Sequence, residues 1–264
     1  MPTIRHPSVA GLFYPADPEG LAREVRGFLA AAGVPDAVQP LPKAIIAPHA
    51  GYVYSGPVAA WAYAQVARLA GRIARVVLLG PAHRVALRGL AYCRAEQFLT
   101  PLGTVEVDRA ALASLTDMPQ VRELDAPFEG EHCLEVQLPF LQLTLGTFSL
   151  VPLLVGDAEG TEVAEVLARL WGGDETLIVI SSDLSHYLDY TSAKAIDART
   201  SQAIEDLRPE AIGYHQACGR IPVAGLLQEA RRRGLHARTL DLRNSGDTAG
   251  PKDRVVGYGA YAVG

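Results

Sequence analysis

The 264-residue chain is poor in sulfur, with three cysteines and two methionines. Cys93, Cys133 and Cys218 are too few, and odd in number, for a secreted disulfide scaffold, which points to a reducing compartment. Neither sign of charge dominates. The 24 Lys and Arg stand against 29 Asp and Glu, a net charge of −5, so a nucleic-acid partner, which wants a basic face, is not expected. No apolar run approaches the roughly 20 residues of a membrane span, and residues 1–15 hold no apolar signal core. The expectation is a cytoplasmic protein that binds neither nucleic acid nor membrane. HExxH, paired CxxC and GxSxG patterns are missing. Gly51 to Gly56 is bounded by glycines but matches neither a P-loop nor a dinucleotide fingerprint. No internal repeat stands out.

What the chain does contain is apolar sequence in short runs. Hydrophobic residues make up 49% of it, and a chain this long buries about 70–75% of its unfolded surface without a metal or disulfide staple. Residues 44–47, 76–79, 150–155 and 176–180 are Val, Ile and Leu-rich without polar alternation, the pattern of strands covered on both faces. Pro152 inside the third run predicts an edge or a bulge there. Residues 236–242 and 254–262 alternate more and predict an antiparallel part. Helical spacing covers residues 57–69 with Pro57 in the first turn, 161–171 with Thr161 as N-cap, 193–207 and 223–233. Loops are expected at 33–42 and 244–253. The alternation predicts one α/β domain over 1–264, a central mixed, largely parallel sheet flanked by helices.

The chemistry collects after the buried runs. The first leads into Pro48-His49, the second into Gly80-Pro81-Ala82-His83, and the fourth into Ser181-Ser182-Asp183-Leu184-Ser185-His186. Ligands of open α/β sheets sit beyond the carboxyl ends of strands. Three strands therefore deliver a histidine to the edge where function is expected, and imidazole is the commonest metal ligand. The plain alternative is loop histidines with satisfied hydrogen bonds. A third ligand could be a carboxylate or a thiolate. Glu131 and Glu135 would share a face if helical, either near the site or as a solvated acidic helix start. His132 lies between them. Cys218 precedes an apolar helix and an Arg, a setting that lowers a thiol pKa and suits a ligand or a nucleophile; the plain alternative is a buried, inert thiol. Cys93 and Cys133 read as packing residues.

At this point the residues become familiar. Arg5 to Pro15, Ile45 to Gly56, Leu79 to His83, Glu131-His132, Val151 to Gly156, Ser181 to His186, Cys218-Gly219-Arg220 with Pro222, Asn244 to Asp247 and Val255 to Tyr258 together resemble the Memo family, also called AmmeMemoRadiSam system protein B. The similarity runs nearly end to end. It implies a fold like the LigB-type class III extradiol dioxygenases, which are non-haem Fe(II) enzymes. It further implies a pocket with His49, His83 and Cys218 as metal ligands and with Asp183, His186 and His132 as acid/base or supporting groups. Cys133 departs from the family, where Ser often follows the histidine. Fe(II) is the first metal implied. Copper or zinc also suits a thiolate-bearing set.

Two functions follow. One is a metal-binding redox protein, resembling non-haem iron dioxygenases, that acts on a small molecule. The other is a non-catalytic scaffold that keeps the pocket, binds a peptide or small ligand, and works with AMMECR-type and radical SAM proteins. A thiol-based hydrolase or transferase using Cys218 is a third.

Overall fold

The computed structural model describes residues 2–33 and 40–264. Of the loop expected at 33–42, residues 34–39 lie outside the described residues. The chain begins with β1 (Ile4–Arg5), α1 (Pro18–Ala32), β2 (Ala44–Ala47), α2 (Tyr52–Ala67) and β3 (Arg75–Pro81). It continues with β4 (Leu90–Tyr92), β5 (Gln97–Thr100), β6 (Gly103–Val107), α3 (Arg109–Ala113), β7 (Val121–Glu123) and α4 (Leu138–Leu145). Next are β8 (Ser149–Val155), α5 (Gly160–Leu170), β9 (Thr176–Ser181), β10 (His186–Leu188) and α6 (Tyr190–Glu205). It closes with α7 (Arg220–Arg232), β11 (Ala237–Asn244), α8 (Ser245–Thr248) and β12 (Val255–Val263).

The four apolar runs are β2, β3, β8 and β9, and they form the parallel heart of a mixed sheet, ordered β8-β3-β9-β2. Every residue of β2 and β9 is buried, as is all but the first of β3 and β8. No face meets water, which is why polar alternation is missing. Beyond β2 the sheet turns antiparallel through β12, which also carries β10 and β11. Helices flank the sheet in two groups: α1, α2 and α4 pack together, while α5 packs on α7 and α6 lies on β11 and β12. Among the described residues no helix is long and apolar enough to cross a membrane.

Several expectations are corrected. Pro152 is in an interior strand, paired with Leu78 of β3. Its other side is open: β6 pairs β8 only at Ser149 and Leu150, and β4 only at Leu154 and Val155. The proline's missing N–H falls in that gap. Helix α2 starts at Tyr52, so Pro57 is inside it. Ser55 and Gly56 look like a turn but serve the helix. The Ser55 hydroxyl donates to Ala50 O at 2.7 Å, and Gly56 leaves room for the Phe28 ring of α1. The N-cap of α5 is Glu159, which forms a capping box with Glu162, so Thr161 is already helical. α6 and α7 each begin three residues earlier than the spacing indicates.

Candidate metal centre and adjoining cavity

The register puts the ends of the central strands side by side: Ala47 opposite Ser181, and Leu79 opposite Ile180. His49 and His83 each follow the last residue of their strand by two positions, as does Asp183 after β9. All three arrive at one edge. Glu131 and His132 come from the segment before α4, Cys218 from the turn before α7, and His186 opens β10.

His49 is 2% exposed and its tautomer is dictated by a hydrogen-bond chain. Tyr63 O–H donates to Gln137 Oε1 at 2.6 Å, so Gln137 Nε2 donates to Pro48 O and to Ser181 Oγ. Ser181 O–H donates to Cys133 O at 2.6 Å. Its oxygen is then left to accept from His49 Nδ1, 2.9 Å away. With Nδ1 protonated, Nε2 carries the lone pair. Burial, then His83 and His132, push the His49 pKa well below its ordinary value, so the ring is neutral.

His83 is oriented in the same way by Glu131. Its Nδ1 is 3.0 Å from Glu131 Oε1, and its backbone N–H donates to Oε2 at 2.7 Å. The backbone N–H groups of His132 and Cys133 donate to Oε1 as well. Burial alone would raise the Glu131 carboxyl, but the His83 side chain and these N–H groups hold it well below the usual range. A carboxylate behind a histidine that leaves Nε2 free is the arrangement that supports metal-binding imidazoles. The expectation of a solvated acidic helix start is corrected: Glu131 and Glu135 are both buried, on neither side of a common helix face. Glu135 instead ties down the N-terminal segment, accepting from Ser8 N, Val9 N and Tyr14 O–H at 2.6–2.9 Å.

His132 stacks on His83, with ring centroids 5.3 Å apart and planes at 18°. Burial lowers its pKa despite Glu131, and its buried Nδ1, 3.3 Å from Glu131 Oε1, has no hydrogen-bond partner among the described residues. Among the described residues, the ligand atoms of His49, His83 and His132 all lie within 4.8 Å of one another. Cys218 joins from the His49 side. Its Sγ is 3.3 Å from His49 Nε2 and accepts from Asp183 N at 3.3 Å. That N···S separation is less than the sum of a metal–N bond of about 2.1 Å and a metal–S bond of about 2.3 Å, so one ion can reach both atoms. The lowered thiol pKa expected for Cys218 is corrected. Burial, then Asp183, push it up to about 12, and Arg220 turns away to stack on Tyr214, 4.8 Å from the ring centroid. The thiol is therefore held in its protonated form.

His83, Glu131 and Cys133 form a second close group, but its donors are spent. Glu131 is saturated by N–H groups, and the buried Cys133 thiol donates to Pro81 O at 3.2 Å. Cys93 and Cys133 are packing residues, as expected.

A cavity of about 650 Å³ opens onto this centre, lined by His49, His83, His132, Asp183 and His186 together with Tyr258. His186 donates Nδ1–H to Leu184 O at 2.8 Å, leaving Nε2 available to the cavity. Asp183 accepts from His49 N–H at 2.7 Å, and burial raises its pKa. Cys218 faces a separate cavity of about 490 Å³. The structure thus brings the predicted histidines and Asp183 to one cavity, with Cys218 behind His49. The sequence reading missed Ser181, Gln137 and Tyr258. Ser181 and Tyr258 lay within segments already singled out; for Gln137 no sequence signal was available.

The sequence model of one family, described as Memo-like protein, matches residues 5–262. Proteins named MEMO1 family protein are similar throughout. That of Aeropyrum pernix is 38% identical, covering 98% of this chain and 99% of the relative. That of Aquifex aeolicus is 35% identical over 97% of each, and that of Thermotoga petrophila 34% identical over 96% and 97%. Among solved structures, an uncharacterized protein of Escherichia coli K12, JW3007, shares the fold with a TM-score of 0.51 at 12% identity, covering 85% of this chain and all of that one.

Proposed function

This chain belongs to the Memo-like family, and from that premise we propose that it is a metal-binding redox protein acting on a small molecule. Fe(II) is the preferred ion, with copper or zinc as alternatives. His49, His83 and Cys218 would hold it, with His132 against them. The observation that carries this reading is the paired orientation of His49 and His83, each with Nδ1 engaged by a buried partner, so that the Nε2 lone pair of His83 faces the centre and that of His49 meets the Cys218 sulfur at 3.3 Å. Two neutral imidazoles and a thiol suit iron, copper or zinc and disfavour magnesium or calcium. As iron or copper the ion would supply one-electron chemistry and, as iron, activation of dioxygen, in keeping with the resemblance to LigB-type enzymes; zinc would act only as a Lewis acid.

The chain's own residues do the rest. His186 Nε2 is free to take or give a proton at the cavity wall. Asp183, with a raised pKa, can hold a proton beside it. Phe13, edge-on to His132 with ring centroids 4.9 Å apart, covers that side of the centre against water. Metal analysis of anaerobically purified protein tests the reading, with about one iron per chain expected and lost in His49→Ala. Neither iron nor copper in stoichiometric amount, with no change in His49→Ala, would sink it.

The second reading is a non-catalytic protein that binds a peptide or a partner of the AMMECR or radical SAM type. The exposed Leu12, Val53 and Tyr187 at the cavity mouth favour it. Oxygen uptake dependent on a defined small molecule would remove it.

A further inference from the structure

The segment between β9 and β10 delivers both Asp183 and His186 to the cavity, and it is fastened to β12 by two backbone bonds. Leu184 N–H donates to Gly257 O, and Gly257 N–H donates to Ser185 O, each at 2.8 Å. These bonds fix residues 184–185 but leave the turn that follows under strain. Tyr187 has a φ of 59°, the left-handed region that a bulky residue rarely adopts, and the β10–β12 register shifts between His186 and Leu188. Such a turn persists only where its surroundings over-determine it.

The extra fastening comes from α6. Asp197, 2% exposed, accepts from Ser185 N–H through Oδ1 at 3.0 Å. Its carboxyl lies flat against β12 at Gly257, where any Cβ would collide with it. Asp197 Oδ2 and Ser185 Oγ are both buried and, among the described residues, have no hydrogen-bond partner. A carboxyl group placed here for packing alone would be a poor choice, because an apolar side chain fills space without desolvation cost. We propose that Asp197 is a positioning residue, holding Ser185 so that the strained turn aims His186 into the cavity. The proposal rests on the reading of that cavity as the functional site.

Imidazole proton–nitrogen spectra and amide exchange of the full chain test it. In Asp197→Ala the His186 Nδ1–H signal is expected to vanish, and exchange across residues 184–187 to quicken by at least about tenfold. The His49 Nδ1–H signal, held by Ser181, is expected to stay. Asp197→Asn keeps an oxygen for Ser185 N–H and is expected to restore the His186 signal. Should Asp197→Ala not fold, Asp197→Glu, whose carboxylate overshoots Ser185, must lose the His186 signal while keeping that of His49. An unchanged His186 signal and exchange rate in the folded Ala or Glu variant overturns the proposal, as does loss of the signal from Asp197→Asn. Zinc titration of the same samples separates the two readings: a wild-type chain that takes up no metal, with the Asp197 variants still showing these spectral changes, refutes the metal centre and leaves the role of Asp197 standing.

Discussion

Glu131 accepts four N–H groups from three consecutive or converging residues, His83, His132 and Cys133. Glu131→Gln would turn an NH2 toward one of those donors and leave a buried N–H unsatisfied. Metal affinity is expected to fall about 10–100-fold through the misaligned His83, and stability by about 1–3 kcal/mol. Metal titration and denaturant unfolding measure the two. The folded pKa of Glu131 is depressed, so its stabilisation is present above the usual 4.5 and is lost as pH falls below it. The stability difference between wild type and Glu131→Gln should shrink in acid.

Asp197 behaves in the opposite sense. Burial, opposed by Ser185 and His186, raises its pKa from 3.8 to about 6, and Tyr261 also faces it. Folding therefore favours the protonated form. That contribution is complete below 3.8 and is lost as pH rises through about 6. Relative to wild type, Asp197→Asn should gain stability between pH 4 and 6, by at most about 3 kcal/mol. A difference that does not vary with pH in urea unfolding would contradict this.

At the scale of elements, α5 and α7 approach closely because Gly225 lies on Val163 and the Ala164 backbone. Helix propensity alone would make Gly225→Ala stabilising by about 1 kcal/mol. The added Cβ has no room against backbone atoms, and overpacking costs about 1–3 kcal/mol. Net destabilisation is expected, read as a lower midpoint in urea.

The elements also show what a sequence can and cannot reveal. The strands were legible because burial on both faces leaves an unbroken apolar run, as in Thr176–Ser181. Helix starts were not: the α5 cap is a Glu in place of the usual Ser, Thr, Asp or Asn, and the α2 start is held by Tyr52 N–H donating to Phe13 O, far back along the chain. The histidines were legible from their place after strands. The environment of Cys218 was not, since its thiol is governed by burial and by Asp183, 35 residues away. The roles of Glu131 and Glu135 were hidden for the same reason, their partners lying 48 and up to 130 residues away.

For the molecule as a whole, an ion bound only by the folded state adds stability, about 2.7 kcal/mol at a free concentration of 100 times its Kd. Iron or zinc is expected to raise Tm, chelation to lower it, and His49→Ala to abolish the difference. Calorimetry with and without metal decides this; an equal rise in His49→Ala would place the ion elsewhere.

The order of the strands has one more consequence, in time. β2, which leads into His49, is flanked by β9 and β12, both made long after it. His49 meets Ser181 across 132 residues and Cys218 across 169, and Tyr258 of β12, which lines the same cavity, comes later still. A chain still emerging from the ribosome carries the histidines early but has nowhere to put them. The pocket exists only once β12 has been made, so a shorter nascent chain carries the histidines without the site that would hold an ion.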